Sequence, residues 1–267
     1  MSWLEALILG IIQGLTEFLP VSSSGHLTIG QELLNLNTSA AENLQFDVIV
    51  HAATVFSVIV ILRKEITQLL KGTFSTLKWN EEKIYVLKIF LSMVPILIVG
   101  LFFKNQVKEF FAGGLLLVGC CLLLTALLLT FAYFTKHRKR RKISYLDSFI
   151  IGVSQAIAVL PGLSRSGTTI ATGLLLGNRK EAVAKFSFLM VLVPVLGESL
   201  LSVKDIIQNP ESTSIGLLPL LIGFIAAFAT GCFACKFMIN IVTKGRLIYF
   251  AIYCAFIGSI AILYSLY

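Results

Sequence analysis

Between Gln13 and His26 the chain carries an amide (Gln13), a carboxylate (Glu17), three consecutive hydroxyls (Ser22, Ser23, Ser24), a glycine (Gly25) and an imidazole (His26) inside an otherwise apolar run. These groups are a proton acceptor, candidate nucleophiles and hydrogen-bond donors, the parts that phosphoryl transfer requires. Gln13 and Glu17 are four residues apart and so share one helix face. A partial echo runs from Gln155 through Pro161-Gly-Leu-Ser164-Arg165-Ser166-Gly167-Thr168 and adds a guanidinium. Each turn leads into a helix N-terminus, where free N–H groups and the helix dipole favour an anion. Arg165 brings a planar fork suited to phosphate oxygens. Together these groups describe a phosphate or pyrophosphate cradle beside a nucleophile.

Plainer roles exist for each group. Gln13 and Glu17 could be interhelical glue, the serines helix caps, His26 a hydrogen-bonded core histidine and Arg165 the salt-bridge partner of Glu17. A carboxylate at membrane depth is a costly choice of glue, and one serine suffices for a cap. The cluster therefore reads as functional. His51, with Asp47 in or near the following span, fits a core role and a supporting role equally.

The elements that must position these residues are apolar helices. The chain has 267 residues, of which 57% are hydrophobic and 13% charged, about half the charged fraction of soluble domains. Several apolar stretches reach the roughly 20 residues that span hydrocarbon. The N-terminus lacks the basic region and cleavage site of a removable signal. The prediction is an all-α polytopic membrane protein, a single integral domain over 1–267. Residues 4–19, stopped by Pro20, and about 24–35 are too short to span, and their pairing around a polar turn predicts a re-entrant hairpin. Full spans are expected near 45–62, 85–103 and 113–135, then a second hairpin at 144–177 and spans near 182–201, 216–236 and 247–266.

The halves repeat. Leu4, Gly10 and Gln13 correspond to Leu146, Gly152 and Gln155, and Ser22, Ser24 and Gly25 to Ser164, Ser166 and Gly167. Repeat one covers about 1–135 and repeat two about 144–267, joined by a basic loop at 136–143. Each is a hairpin plus three spans; three is odd, so the two repeats should have inverted topology. Lys and Arg support this: five fall in 63–84, six in 136–142, three in 178–185 and three in 236–246, against Lys104, Lys108 and Lys204 on the opposite side. The positive-inside rule then puts the basic loop in the cytoplasm and both termini outside. Inverted repeats meeting through broken helices make a site near the midplane.

Other signals carry less. Lys136 to Lys142 is a cytoplasmic anchor facing anionic lipid rather than a nucleic-acid patch. Cys232 and Cys235 form a lone CxxC and read as packing, and no nucleotide-binding glycine motif occurs. One carboxylate and one histidine make no closed metal site, so no cofactor is assigned, although a divalent cation could screen a diphosphate.

The stretch Gln13-Gly-Leu-Thr-Glu17-Phe-Leu-Pro-Val-Ser-Ser-Ser-Gly-His26, with Pro161-Gly-Leu-Ser-Arg-Ser-Gly167, resembles the two signatures of the bacterial undecaprenyl-diphosphate phosphatases, the bacitracin-resistance family. The likeness extends to Phe46-Asp-Val-Ile-Val-His51 and the basic middle loop. It implies a hydrolase of the bacterial inner membrane that removes the terminal phosphate of undecaprenyl diphosphate and regenerates the carrier for cell-wall synthesis. It also implies Glu17 as the catalytic carboxylate, Ser23 as nucleophile, His26 as the catalytic histidine and Arg165 as the phosphate clamp. Gln13, Ser22, Ser24, Gly25, Ser164, Ser166, Gly167 and Thr168 would line the substrate. The cradle should open to the external side, while the tail stays in lipid. Two routes fit: attack by Ser23, with His26 or Glu17 taking the proton, and direct attack by water. A homodimer is compatible with such a chain. The competing class is a polyprenyl-phosphate transporter or flippase, which shares inverted repeats but needs no nucleophile.

Overall fold

The structure is a computed structural model that describes residues 1–267 except 37–38, 76–77, 104–105, 107–113, 136–140, 209–214 and 267. Eleven helices occur among the described residues: α1 (Trp3–Phe18), α2 (Ser23–Leu33), α3 (Ala40–Ile61), α4 (Arg63–Phe74), α5 (Glu81–Phe102), α6 (Gly114–Phe134), α7 (Tyr145–Ile157), α8 (Arg165–Leu175), α9 (Lys180–Gln208), α10 (Leu217–Lys244) and α11 (Ile248–Leu266). The only extended pairing described is an isolated bridge from Arg141 to Asn178.

Helix starts follow the local sequence. Ser2 with Glu5, Ser39 with Glu42 and Ser144 with Asp147 close capping boxes that begin α1, α3 and α7. Pro20 cannot donate to a continuing ladder and disfavours helical backbone at Leu19, so α1 stops at Phe18. Gly245, at φ 71°, closes α10 in the left-handed conformation that glycine adopts without strain.

Among the described residues, five helices, α3, α5, α6, α10 and α11, are long and apolar enough to cross a membrane. Lipid-compatible faces show on these helices as exposed large side chains, among them Phe90, Leu97, Leu127, Phe233 and Phe256. The span expected at 182–201 lies in the 29-residue α9, whose C-terminal part falls among residues with undescribed side chains. One element was not anticipated: the stretch after residue 63, expected as a loop, forms the amphipathic α4 with no buried residue. Ile66 and Leu69 pack it against the core, and the Glu65 carboxylate is 3.0 Å from Lys185 of α9.

Small residues set the closest helix contacts. Gly10 and Gly14 of α1 bring its backbone against Gly223, Ala227 and Gly231 of α10, leaving no room for a Cβ. Gly152 of α7 sits in the same way against the Ser92 carbonyl of α5, and Gly119 of α6 against Gly258 of α11. Without a hydrophobic drive between helices in lipid, such close backbone contact is a principal source of association. The turns interlock as well: Gly25 lies against Gly162, and Gly167 against Pro20. This interlock brings the Leu19–Ser22 and Val159–Ser164 turns to one place.

Candidate active site

At the joined turns, Glu17 is the hub. It ends α1 almost fully covered, its side chain 8% exposed. Oε2 accepts from Gln13 Nε2 at 3.0 Å, one turn back on the same face, and from Ser23 Oγ at 2.6 Å across the turn. Oε1 accepts from an Arg165 guanidinium nitrogen at 2.8 Å. His51 of α3 brings Nε2 to 3.6 Å from Oε2. The carboxylate thus meets an amide, a hydroxyl, a guanidinium and an imidazole, from α1, α2, α8 and α3. A buried charge needs that degree of compensation.

The first turn is held in an uncommon backbone shape. Ser22, the cap of α2, has φ 69° and ψ 101°, a strained region for a residue with a side chain. Its Oγ accepts from Gly25 N at 3.3 Å and lies 3.3 Å from Ser24 Oγ. Its carbonyl accepts from His26 N. Ser22 is thereby committed to the cap, and Ser23 is left to reach Glu17. In the second turn Ser164 Oγ caps α8 by accepting from Gly167 N at 3.0 Å, and Ser164 N donates to Thr125 Oγ1 of α6 at 3.0 Å. Ser166 Oγ crosses to the first turn and donates to the Leu19 carbonyl at 3.1 Å. The first N–H groups of α2 and α8, those of Ser23, Ser24, Arg165 and Ser166, have no intrahelical acceptor by construction.

A narrow cleft enters the site between α1, α3, α8 and α9, lined by Glu17, Thr54, Arg165, Ser166, Ser187 and Phe188 among others. Its free volume is about 20 Å³, room for one water-sized molecule. Phe18 and Phe188, edge to face at 5.6 Å, wall it from the core.

Of the residues expected at the site, all but Ser24 and His26 fall into two groups, and Ser24 stays within the first turn, its Oγ 3.3 Å from Ser22 Oγ. Glu17, Ser23 and Arg165 form one connected constellation, with Gln13 behind it and Ser166 beside it. Ser22, Gly25, Ser164, Gly167 and Thr168 are buried and build the two turns and the first helical turns that follow them; Thr168 Oγ1 has no partner. His26 faces away from Ser23: Nδ1 lies 2.8 Å from the Ser22 carbonyl, Nε2 lies 2.8 Å from Tyr253 Oη, and the ring stacks on Tyr253 at 5.6 Å. Tyr253 gives no sequence signal, being one aromatic among many in an apolar span. His51, left between two readings, faces the hub, and its neighbour Asp47 accepts from Gln31 Nε2 at 3.1 Å. The spacing of Asp47 and His51 in an apolar helix was the available hint.

Helices crossing a bilayer around a buried, hydrogen-bonded carboxylate–serine–arginine cluster define a multi-pass membrane protein with an enzyme-like centre. The chain belongs to the family described as bacitracin resistance protein BacA, whose profile matches residues 6–260. Curated relatives named undecaprenyl-diphosphatase cover it end to end. One from Bacteroides thetaiotaomicron is 59% identical over 267 residues, covering 100% of both chains. One from Bacteroides fragilis is 58% identical over 266 residues, 99% of both. A third, from Carboxydothermus hydrogenoformans, is 39% identical over 261 residues, 97% of this chain and 95% of its own.

Proposed function

We propose that the protein hydrolyses undecaprenyl diphosphate to undecaprenyl phosphate and inorganic phosphate, recycling the lipid carrier of cell-wall synthesis. The relatives' name supplies the substrate. The observation that carries the chemistry is the shared carboxylate: Glu17 takes the Ser23 hydroxyl on one oxygen and Arg165 on the other. A hydroxyl at 2.6 Å from a carboxylate has an acceptor for its proton before substrate arrives. Arg165 and the free N–H groups of α2 and α8 are the donors for the oxygens of the transferred phosphoryl group.

Ser23 attacks the terminal phosphorus, Glu17 takes its proton, and the bridging P–O bond breaks with its electron pair on the lipid phosphate. Water then releases phosphate from the serine. His26, engaged with Ser22 and Tyr253, supports the turn rather than the proton transfer. A divalent cation that screens the diphosphate would arrive on the phosphate oxygens, since among the described residues no three His, Cys, Asp or Glu side chains converge.

The site belongs to one integral domain built from two inverted repeats, 1–135 and 144–267. Helix pairing supports this: α1 packs on α10 as α7 packs on α5, while α3 meets α9 and α6 meets α11. These are the pairings an exchange of halves would produce. The charge distribution supports an external mouth, and the relatives' name, with its cell-wall lipid carrier, supports the inner membrane.

The test is phosphate release from farnesyl diphosphate by the purified protein. Release that is absent in Ser23→Ala supports the reading. A protein that binds the diphosphate and releases no phosphate would be a carrier of polyprenyl phosphates instead.

A further inference from the structure

His51 is the one ring nitrogen carrier at the hub. Its Nδ1 lies 2.7 Å from the Asp47 carbonyl oxygen one turn earlier. A carbonyl only accepts, so Nδ1 carries the proton and Nε2 faces Glu17 Oε2 with a lone pair or a second proton. That oxygen is the one holding the Ser23 hydroxyl. The groups around the ring are Glu17 from α1, Ser23 from α2 and Arg165 from α8, the last two through Glu17, with Asp47 on its own helix. Of the other helices packed on α3, α10 has no acidic residue, α4 carries Glu65 and α9 carries Glu181, both engaged with Lys185, and Glu198 and Asp205 lie in the C-terminal part of α9. The cations of α9 and α10 are Lys180 and Lys185 near α9's start, Lys204 near its end, and Lys236 and Lys244 toward α10's end.

We propose that His51 is a positioning residue that stores the reaction's proton: what Ser23 yields to Glu17 rests on His51 Nε2 between the two half-reactions. This inference rests on the serine mechanism above. As Ser23 Oγ bonds to phosphorus, its proton goes to Glu17 Oε2 and the bridging P–O bond breaks toward the lipid phosphate. A protonated Glu17 would give up its ion pair with Arg165, which would then face the phosphoryl oxygens alone. Passing the proton to His51 restores that pair and adds a second one, imidazolium to carboxylate. In the second half-reaction water bonds to phosphorus and the Oγ–P bond breaks with its electron pair on Oγ. The stored proton returns through Glu17 to Oγ, and both water hydrogens leave with the phosphate.

The test variant is His51→Gln, which keeps a polar side chain of similar reach but cannot take up a proton. Phosphate release from farnesyl diphosphate is followed against pH for both proteins, full-length and purified. The expected result is a kcat lower by about tenfold or more, KM within about twofold, and the acid limb of the kcat profile lost or moved to lower pH. An unchanged kcat overturns the inference. So does a reduced kcat with the acid limb in place, the signature of a purely structural histidine. Wild-type turnover in Ser23→Ala marks failure of the serine reading itself and takes this inference with it. Should His51→Gln not fold, histidine-labelled wild-type protein decides by NMR. The His51 ring signal should titrate in step with the acid limb and move in Glu17→Gln; a signal flat across that limb overturns the proposal.

Discussion

At the scale of single residues, the division of labour among Ser22, Ser23 and Ser24 is set by one strained backbone. With Ser22 turned into the cap, only Ser23 has its hydroxyl on Glu17. Ser23→Ala should remove nearly all hydrolysis while diphosphate affinity stays within a few-fold, because Arg165 and the helix N-termini remain. Ser22→Ala and Ser24→Ala each remove a cap bond or one donor, worth about 1 kcal/mol or about fivefold. Turnover and affinity across the three variants check this; equal, modest losses would point to direct water attack. Arg165 holds Glu17 with one nitrogen, and the proposed mechanism assigns the rest of its fork to phosphate. Arg165→Lys preserves the charge but supplies a single point donor, so turnover should fall at least tenfold in a protein that remains folded and monodisperse. Near-normal turnover in that variant would make this arginine structural.

At the scale of elements, the site depends on how closely helices approach. Any side chain at Gly14 would run into Thr230 and the Ala227 carbonyl of α10. Gly14→Ala should therefore lower stability by about 1–3 kcal/mol, read as a fall in melting temperature in detergent, and should loosen α1, which carries Glu17. Gly100 of α5 is the control, since nothing lies within 4 Å of a Cβ built there. Gly100→Ala should be neutral or stabilising by up to about 1 kcal/mol, from helix propensity alone. Equal melting temperatures for the two variants would show that the α1–α10 contact is not tight in solution.

At the scale of the whole molecule, orientation decides which compartment the cleft serves. The charge count puts the loop ending at Lys142 in the cytoplasm and the C-terminal end of α11 outside. The central residues of that loop, including Lys139, lie outside the described residues; Lys142 pairs with Glu81 at the start of α5 at 2.9 Å. In a background without the five native cysteines, Lys142→Cys should resist an impermeant thiol reagent in intact cells, and Leu266→Cys should react. The reverse pattern would overturn the orientation and with it the external mouth.

The sequence by itself determined what local chemistry and polarity dictate. Apolar length gave the helices, Pro20 and the capping serines gave the breaks, and polar residues stranded in apolar runs marked Glu17, Ser23 and Arg165. The i to i+4 spacing of Gln13 and Glu17 placed them on one face, and the structure joins them at 3.0 Å. It was silent on α4, whose mixed polar pattern reads as a loop until Lys185 of α9 offers Glu65 a partner. Only the tertiary structure decided which histidine meets the carboxylate. His26 is near Ser23 in the chain, yet the helical turn after Ser22 carries its ring toward Tyr253, 227 residues further on. His51 is farther along the chain but reaches Glu17 because α3 packs beside α1 and α10. Sequence spacing fixes directions within one helix, whereas the meeting of side chains from different helices depends on where glycines let their backbones touch.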